Sequence, residues 1–309
     1  MPDTAPSHDP ALITAELIAV IVAVTDGGPR VLTLGDGRWL PSGPFGFRHR
    51  SLQSAMRAWV EEQTHQPLGY VEQLYTFADG DRTDRATRRV VSISYLGLTR
   101  EARRSADPGA AWHSWYQYFP WEDRRAAGSS MIEDQLVPLL RRWAEDAPTA
   151  TERFARRSRV TINFGLDGTR WNEELILQRY ETLWEAGLVR EAGERANGDG
   201  FGQPMAYDHR RILATGIARL RAKIKYRPVV FELMPPSFTL LQLQRTVEAL
   251  AGRLLHKQNF RRLIDQQDLV EETGGVTTET GGRPAKLFRF RREVLDERAV
   301  AGTKLPLAR

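Results

Sequence analysis

After a polar start to about Pro10, the chain alternates between apolar runs and short turn sequences up to about residue 41. The runs Leu17 to Val24 and Val31 to Leu34 flank Asp26-Gly27-Gly28-Pro29, a composition typical of a tight turn. The dipeptide Asp36-Gly37 then precedes a further short run at Trp39-Leu40-Pro41. We therefore expect successive strands joined by tight turns.

The periodicity changes to that of a helix at Ser51. Apolar residues then recur at helical spacing and predict one buried stripe of a helix that ends before Pro67: Leu52, Ala55, Met56, Trp59 and Val60. Strand-like sequence follows at Val71 to Phe77 and, after a charged turn over 78–89, at Val90 to Leu98. This order predicts an α/β domain with a mixed sheet.

The middle of the chain gives weaker patterns. The stretch Trp112 to Arg125 is aromatic and charged, and Ala144 to Arg159 is polar and rich in Ala and Arg, which we interpret as a link between two parts. A helix is predicted over Asn172 to Ala186, ended by Gly187, with a strand at Leu188-Val189.

A further helix is predicted over Asp208 to Lys225, where isoleucines and leucines recur. The sequences EAGLVREA at 185–192 and QQDLVEET at 266–273 resemble each other as a helix end, a turn and a strand. This similarity suggests a second winged-helix-like unit in the middle of the chain.

The C-terminal region begins with a well-marked helix. Thr239 and Gln242 stand in the capping-box spacing, in which each side chain bonds the backbone N–H of the other residue. The helix is predicted to run to about Ala251 and to end at Gly252.

A second helix is expected from Lys257, followed by strands at 269–273 and 287–291 around the loop 274–285. Helix, turn, helix and hairpin together predict a winged helix-turn-helix. In such a motif the second helix enters the major groove, where Arg bonds guanine and Gln bonds adenine.

On that second helix the apolar stripe of Phe260, Leu263 and Ile264 lies opposite a polar face. The predicted DNA contacts are Lys257, Gln258, Asn259, Arg261 and Arg262 on the helix, and Arg283 and Lys286 on the wing. Two alternatives stay open: a helical hairpin for protein contacts with a merely solvated arginine face, and a structural hydrogen bond for Asn259.

The composition is globular, since 41% of the 309 residues are hydrophobic and 27% are charged. The chain has no cysteine, which excludes disulfides, thiolate metal sites and cysteine nucleophiles. Its longest apolar stretch, Ile13 to Val24, contains Glu16 and is shorter than the roughly twenty residues of a membrane helix. The acidic start lacks the basic segment of a signal peptide, so we expect a cytoplasmic protein without a membrane partner.

The charge is unevenly distributed along the chain. Residues 209–309 hold 20 Lys and Arg against 10 Asp and Glu, a balance of +10, and the net charge of +5 leaves −5 for residues 1–208. A basic module after a slightly acidic one is typical of a sensor joined to a nucleic-acid-binding domain, because Lys and Arg neutralise phosphates. The alternative is an ordinary solvated surface.

The helix after Ser51 carries part of a known motif. Nudix hydrolases share the pattern Gly-x5-Glu-x7-Arg-Glu-U-x-Glu-Glu-x-Gly-U, where U is a large apolar residue. Counted from Gly43, four positions match: Arg57, Trp59, Glu61 and Glu62. The positions that depart from the pattern include His49, Ala58 and Thr64. Because Ala58 removes one of two carboxylates that would converge on Mg²⁺ from successive turns, we predict no metal site and no catalytic residue.

The two ends of the chain together resemble one family. The incomplete Nudix motif, the segments at 75–98 and 207–244, and the sequences NFRRLI (259–264) and GGRPAKLFRF (281–290) are similar to the Nudix-related transcriptional regulators of NAD metabolism, the NrtR family, and within it to the NadQ-type repressors. The resemblance covers nearly the whole chain from Ala11. It implies a Nudix-like α/β/α sandwich followed by a C-terminal winged helix-turn-helix.

The resemblance also implies partners and boundaries. We expect a homodimer that binds a double-stranded palindromic operator of NAD synthesis or salvage genes and senses an adenine nucleotide such as ADP-ribose, NAD or ATP. The expected divisions are a disordered tail at 1–10, a ligand-sensing domain at 11–225 with an additional helical segment at about 142–202, and the DNA-binding domain at 226–309.

The candidate nucleotide-binding residues include cations, which suit a diphosphate, and positions on the motif helix, which borders the pocket in Nudix folds. They are Arg48, His49, Arg57, Glu61, Glu62 and Arg89. The alternatives are an i, i+4 salt bridge between Arg57 and Glu61 and a surface hydrogen bond for His49.

The predicted function is a ligand-responsive repressor without catalysis and without a required cofactor. One alternative is an active Nudix hydrolase of ADP-ribose or related nucleoside diphosphate derivatives that also binds DNA. Another is an interaction role without DNA. Ala58 argues against the first alternative, and the C-terminal positive charge argues against the second.

Overall fold

The computed structural model describes residues 13–46, 50–66, 68–78, 89–101, 109–126, 131–196, 198, 200–226, 229–278 and 284–291. The predicted tail at 1–10 lies outside the described residues. Within this range the chain forms a sheet between helices, followed by a helix pair and a β-hairpin.

The sheet is built from β1 (Ile13–Thr25), β2 (Gly28–Leu34), β3 (Ser42–Pro44), β4 (Tyr70–Phe77), β5 (Arg89–Leu98) and β6 (Ala110–Ser114). Its order is β4-β5-β1-β2-β6, with β3 also paired to β1. β1 runs parallel to β5, whereas the other pairs are antiparallel. The predicted mixed sheet is confirmed.

β1 is continuously apolar because both of its faces are buried. Alternate residues such as Leu17 and Ile21 pack with α1 (Leu52–Thr64) on one side. The residues between them pack toward α6 (His209–Tyr226) on the other side. α6 approaches closely there, since a Cβ added at its Gly216 would lie 2.8 Å from Val20 Cγ1. The expected α/β/α sandwich is therefore confirmed.

A helical segment joins β6 to α6. Its helices are α2 (Trp115–Tyr118), α3 (Val137–Glu145), α4 (Ala150–Phe164) and α5 (Ile176–Glu185), and short 3₁₀ or π turns cover Pro120–Glu122, Met131–Leu136, Glu173–Leu175 and Arg190–Arg195. The helix predicted over 172–186 is confirmed as the turn at Glu173–Leu175 followed by α5.

The interpretation of residues 144–159 as a polar link is wrong. The Thr149 side chain caps α4 by accepting a hydrogen bond from the Glu152 backbone, and Gly165 ends the helix at a positive φ of 62°. The helix looks polar because it buries only Val160, Asn163 and Phe164. Its outer arginines form surface ion pairs instead.

Two further predictions are wrong. Leu188 and Val189 are buried but form no strand, because a 3₁₀ turn with Gly193 at positive φ follows them. Within the described residues, this stretch therefore lacks the strand on which the suggested second winged-helix-like unit depends. At the N-terminal end, Trp39 makes a single bridge to Leu34, and the strand that follows is β3 instead.

The C-terminal region is a winged helix-turn-helix, as expected. It consists of α7 (Leu240–Ala251), α8 (Lys257–Gln267), β7 (Val270–Thr277) and β8 (Ala285–Phe290), with a 3₁₀ turn at Val229–Leu233 before them. The capping box is confirmed, since Gln242 N donates to Thr239 Oγ1 at 3.1 Å and Thr239 N donates to Gln242 Oε1 at 2.7 Å. Phe238 pairs with Phe288 through the backbone and joins the hairpin to α7.

Candidate nucleic-acid interface and nucleotide site

α8 presents a polar face to solvent. Phe260 is the residue of this helix that is buried, and it faces α7 and the hairpin. The five candidate contacts on the helix are all exposed, and no hydrogen bond or ion pair holds their side chains within the described residues: Lys257, Gln258, Asn259, Arg261 and Arg262. The structural hydrogen bond considered for Asn259 is thus not formed there.

The apolar stripe of α8 is narrower than predicted. Ile264 is half-buried against the core, but Leu263 is 50% exposed. Leu263 lines the same cavity as Phe260 and Ile264, so it forms the exposed edge of the apolar stripe.

The wing carries its charges in pairs. Lys286 Nζ lies 2.8 Å and 3.0 Å from the two carboxylate oxygens of Glu272, and Arg289 donates to Glu271 at 2.7 Å. All of these side chains are substantially exposed. Arg283 lies outside the described residues. Lys286 is therefore paired with Glu272 although 65% of its side chain is exposed.

α1, the helix of the Nudix-like motif, is positioned by local contacts. Ser51 and Ser54 form a capping box at its start. Trp59 packs on Gly43, where an added Cβ would lie 2.4 Å from the indole, and its Nε1 donates to Pro44 O at 3.2 Å. Gly43 and Trp59 thus fix α1 against β3, which is a structural role for two motif positions.

Arg57 also braces the fold. Its guanidinium donates to Leu68 O at 2.6 Å and to Gly69 O at 3.0 Å, and the residue is half-buried. No ion pair with Glu61 is formed within the described residues, so that alternative is wrong. Arg57 holds the segment between α1 and β4 at the side of the motif helix.

The other nucleotide candidates are placed unevenly. Glu61 and Glu62 lie exposed on α1, and Ala58 is exposed one turn before Glu62. Arg89 is the first residue of β5, with its backbone paired to Ile13, but its side chain lies outside the described part of the chain. Arg48 and His49 lie outside it as well. Across the described residues no cluster of three His, Asp or Glu side chains is arranged to hold a metal ion.

Sequence reasoning missed a buried ionic cluster, which we call the Glu122 cluster: Glu122, Arg179 and Arg221. Arg179 Nε donates to Glu122 Oε1 at 2.5 Å and Nη2 donates to Oε2 at 2.9 Å, while Arg221 Nη1 donates to the same Oε2. The three side chains are 0–1% exposed. Backbone carbonyls of Asn163, Asn172 and Glu173 accept the remaining Nη1 hydrogens.

The electrostatics of the Glu122 cluster follow from its burial. Burial alone would raise the pKa of Glu122, but the charges and hydrogen bonds of Arg179 and Arg221 hold it below its ordinary value. Burial lowers the pKa of Arg179, yet a guanidinium starts so high that it stays charged at neutral pH. The cluster therefore carries one negative and two positive charges in the interior.

The same region holds the end of α7. Arg221 Nε donates to Leu250 O at 2.9 Å, Tyr116 Oη donates to Ala249 O at 2.7 Å, and Arg124 N donates to Gly252 O at 2.7 Å. These three groups satisfy carbonyls that a helix C-terminus leaves unpaired. We call them the α7 anchor. They connect the sheet domain and α6 directly to the helix that precedes α8.

A signal for these residues was present in the sequence. Arg179 lies on the apolar side of α5, between the buried residues Ile176 and Leu183. Arg221 follows the buried residue Leu220 on α6. A charged residue at a core position indicates a buried partner. The partner, Glu122, lies 57 and 99 residues away in the sequence, so periodicity alone could not identify it.

Comparison with known proteins identifies the C-terminal region. Residues 230–290 match the family model of the NrtR DNA-binding winged helix domain. The ADPR responsive transcriptional repressor NtrR of Acinetobacter baylyi is 42% identical to this chain over 86 residues, which are 28% of this chain. The match spans about a third of that relative, 34% of its length.

Solved structures extend the likeness to the whole fold. The crystal structure of Shewanella oneidensis NrtR complexed with a 27mer DNA aligns with 91% of this chain and 95% of its own, at a TM-score of 0.56 and 19% identity. A MutT/nudix family protein from Enterococcus faecalis aligns with 94% of this chain and 89% of its own, at a TM-score of 0.53 and 16% identity. These alignments show a shared fold.

The lengths and apolar contents of the helices bear on whether any of the described ones could span a membrane. None of them is both long and apolar enough to cross a bilayer.

Proposed function

We infer that this chain belongs to the NrtR family of Nudix-related regulators and is a transcriptional repressor. The observation that carries the inference is the winged helix domain at 230–290, which matches the NrtR model and exposes the polar face of α8. Residues 226–309 are then the DNA-binding domain and residues 11–225 the ligand-sensing domain. The repressed genes serve NAD synthesis or salvage, as in the family that the sequence resembles.

The proposed DNA contacts divide into base readers and phosphate binders. Base reading falls to the exposed polar side chains of α8, which are Gln258, Asn259, Arg261 and Arg262. Lys257 at the start of α8 and the wing residues Arg283 and Lys286 bind the phosphate backbone. A homodimer places two copies of α8 about one helical turn of DNA apart, which fits a palindromic operator.

The proposed effector is ADP-ribose, with NAD and ATP as related candidates. The support is the name of the Acinetobacter relative, an ADPR responsive repressor. The ligand site is assigned to Arg48, His49, Arg57, Glu61, Glu62 and Arg89. Since Arg57 already binds two backbone carbonyls, its part is to brace the wall beside the exposed glutamates.

The α7 anchor supplies a route from nucleotide to DNA. Tyr116 of α2 and Arg221 of α6 each donate a hydrogen bond to a backbone carbonyl in the last turn of α7. Two helices that precede the winged helix therefore hold α7 in place. α7 packs on α8. A ligand that prefers one arrangement of the sheet domain therefore changes the placement of α8. Such a difference in affinity between two arrangements is sufficient for an effector to alter DNA binding.

We propose that the domain binds its nucleotide without hydrolysing it. Mg²⁺ prefers several anionic oxygens around it, and Ala58 occupies the exposed position one turn before Glu62 where the Nudix pattern has a glutamate. Glu61 and Glu62 alone make a weak site for the metal that would activate water.

The proposed function is tested by selecting bound duplexes from a randomised DNA pool with the full-length protein. The enriched duplex is then titrated by fluorescence anisotropy with and without ADP-ribose, while AMP release is followed in the presence of Mg²⁺. We expect an enriched palindrome, a lower DNA affinity with ADP-ribose, and AMP release at background. Absence of any enriched sequence would contradict the repressor. AMP release that Glu62→Gln abolishes would contradict the proposed loss of catalysis.

A further inference from the structure

The outward face of α4 is uncharged, although the helix is rich in arginine. The buried residues of α4 are those that face the core. At 100° per residue, the positions on the opposite face all carry apolar or small uncharged side chains: Thr151, Phe154, Ala155, Ser158 and Ile162. Phe154 is 74% exposed and Ile162 is 54% exposed. A surface helix normally places charged and polar residues there, so this pattern indicates a face that packs against a further protein surface.

A groove of about 620 Å³ lies beside this face, and both Phe154 and Ile162 line it. Its charged lining residues are two arginines and two acids, Arg141, Glu145, Arg157 and Asp167. They form ion pairs with one another. Arg157 Nε donates to Glu145 Oε1 at 2.6 Å, and Arg141 Nη2 donates to Asp167 Oδ1 at 3.2 Å. The lining therefore has no net charge.

The other flank of the face is neutralised in the same way. Arg159 donates to both carboxylate oxygens of Glu185, at 2.9 Å and 2.6 Å. A nucleic acid or an acidic peptide would have to compete with these carboxylates for the arginines. A partner surface that carries the same balanced pairs meets no net repulsion, and a second copy of this chain supplies such a surface.

The spacing of the apolar residues also fits a second copy. Phe154 and Ile162 each lie four residues from Ser158, on opposite sides of it. When two copies of α4 cross in antiparallel directions at Ser158, Phe154 of each copy faces Ile162 of the other. A twofold contact of this kind uses one patch twice, and it requires the patch to be complementary to itself. The small side chain of Ser158 lets the two helices approach closely at the crossing.

We propose that α4 packs antiparallel on α4 of a second copy of this chain, with the twofold axis at Ser158. Phe154 of the second copy packs against Ile162 beside Leu166, which lines the same groove. This inference rests on the proposed function, because it assigns a surface that joins two copies in the proposed homodimer. It also gives the helical segment between β6 and α6 a role separate from the nucleotide candidates and from α8.

The first test is cross-linking of the full-length protein, which has no cysteine of its own. When helix axes are about 9–10 Å apart, two Cα atoms at the crossing lie roughly 5 Å apart, within the span of a disulfide. Ser158→Cys should therefore form a covalent dimer on a non-reducing gel after air oxidation with copper phenanthroline as catalyst.

Thr151→Cys is the matched control for this cross-link. Thr151 is exposed on the same face of α4 but lies seven residues from Ser158. In the antiparallel arrangement its two copies are roughly 21 Å apart, at about 1.5 Å of helix rise per residue. This variant should therefore remain uncrosslinked under the same conditions.

The second test is the molar mass measured by light scattering during gel filtration. Phe154→Glu places a carboxylate in the centre of the apolar contact, so the mass should fall to half that of the wild type at the same concentration. It should also abolish the cross-link of Ser158→Cys when the two changes are combined. Leu254→Glu introduces the same charge at a leucine that is 65% exposed outside α4, and it should leave the mass unchanged. Thermal melts establish that each variant is folded.

Three results would overturn the inference. They are absence of the Ser158→Cys cross-link, a Thr151→Cys cross-link of equal yield, and an unchanged mass for Phe154→Glu. The first and third would show that solvent or a different protein covers this face, and the second would show a parallel contact or random collision.

Failure of this contact is distinguishable from failure of the proposed function. If the wild type selects a palindromic duplex but Ser158→Cys does not cross-link, the repressor stands and the α4 contact is overturned. If Ser158→Cys cross-links but no duplex is enriched, the α4 contact stands and the repressor is contradicted.

Discussion

Glu122 and Arg179 form a bidentate ion pair in which both side chains are 0% exposed. They come from different parts of the fold, the turn after α2 and the middle of α5, and Arg221 of α6 joins them. Since Arg221 also holds α7, this pair lies at the junction of the sheet domain, the helical segment and the winged helix.

Replacing Glu122 by Gln should strongly destabilise the protein. The change leaves two buried guanidinium groups without their counter-charge, and breaking a buried pair in this way costs about 3–5 kcal/mol. Urea denaturation measures the loss. The matched control is Glu185→Gln, which removes the carboxylate partner of Arg159. Each of these two side chains is 38% exposed, so the change should cost no more than about 1 kcal/mol. Equal losses would show that burial of the cluster is irrelevant.

The same pair predicts a pH dependence. The pKa of Glu122 is lowered in the folded protein relative to its ordinary value of 4.5. Its contribution to stability is therefore fully present above pH 4.5 and is lost as the pH falls below that value toward the folded pKa. Thermal melts of wild type should lose stability on acidification more steeply than melts of Glu122→Gln, and parallel curves would contradict this assignment.

Arg262 should contribute to specific DNA binding. Its exposed side chain has no partner among the described residues, so Arg262→Ala should leave the fold unchanged and cost about 1–3 kcal/mol if the guanidinium reads a base. Gel-shift titration with the selected operator measures the loss. Arg142→Ala removes an exposed arginine of α3 and should have no effect on operator binding. An unchanged affinity for Arg262→Ala would remove this residue from the interface.

The wing should respond to its own ion pair. Lys286→Ala is expected to weaken binding to all DNA sequences similarly and to reduce the slope of log affinity against log salt by about one. Glu272→Gln should strengthen binding to all DNA sequences. The change frees Lys286 from the carboxylate 2.8 Å away and removes a negative charge near the phosphates. Salt titrations of both variants test this, and a Glu272→Gln variant that binds more weakly would exclude a phosphate role for Lys286.

The sheet, α1 and the winged helix were predictable because local signals specify them. The helical period after Ser51 and the capping box at Thr239 each act within a few residues. The helix α4 was missed because its own sequence shows little of the apolar period that marks a helix. Its buried face is only Val160, Asn163 and Phe164, so most of its sequence reads as a solvated link, and packing of neighbouring helices rather than its own pattern stabilises it.

The candidate sites were likewise predictable only where their residues lie close together in the sequence. The exposed face of α8 follows from spacing along one helix, and the structure places those side chains as expected. The Glu122 cluster and the α7 anchor depend on contacts between residues far apart in the chain, such as Tyr116 with Ala249. No pattern in a single sequence reveals such pairs, apart from charged residues at positions that ought to be apolar.

The last prediction concerns communication between the two domains. If ADP-ribose changes operator affinity, the coupling is expected at about 1–3 kcal/mol, and operator DNA must change ADP-ribose affinity by the same factor. Tyr116→Phe removes the hydroxyl that donates to Ala249 O at 2.7 Å. A hydrogen bond of this kind contributes about 0.5–1.5 kcal/mol. We therefore expect the coupling to shrink by a similar amount, while ADP-ribose affinity without DNA stays the same.

Calorimetric titration of ADP-ribose into wild type and Tyr116→Phe, with and without operator, gives all four affinities of this cycle. Tyr75→Phe is the control, because Tyr75 is 59% exposed on β4, away from α7, and should keep the full coupling. Tyr116 joins the end of the sheet to the helix before α8, so loss of its hydrogen bond weakens the link without touching either ligand. Undiminished coupling in Tyr116→Phe would show that the signal reaches α8 by another route, since the remaining anchors at Leu250 and Gly252 would then carry it alone.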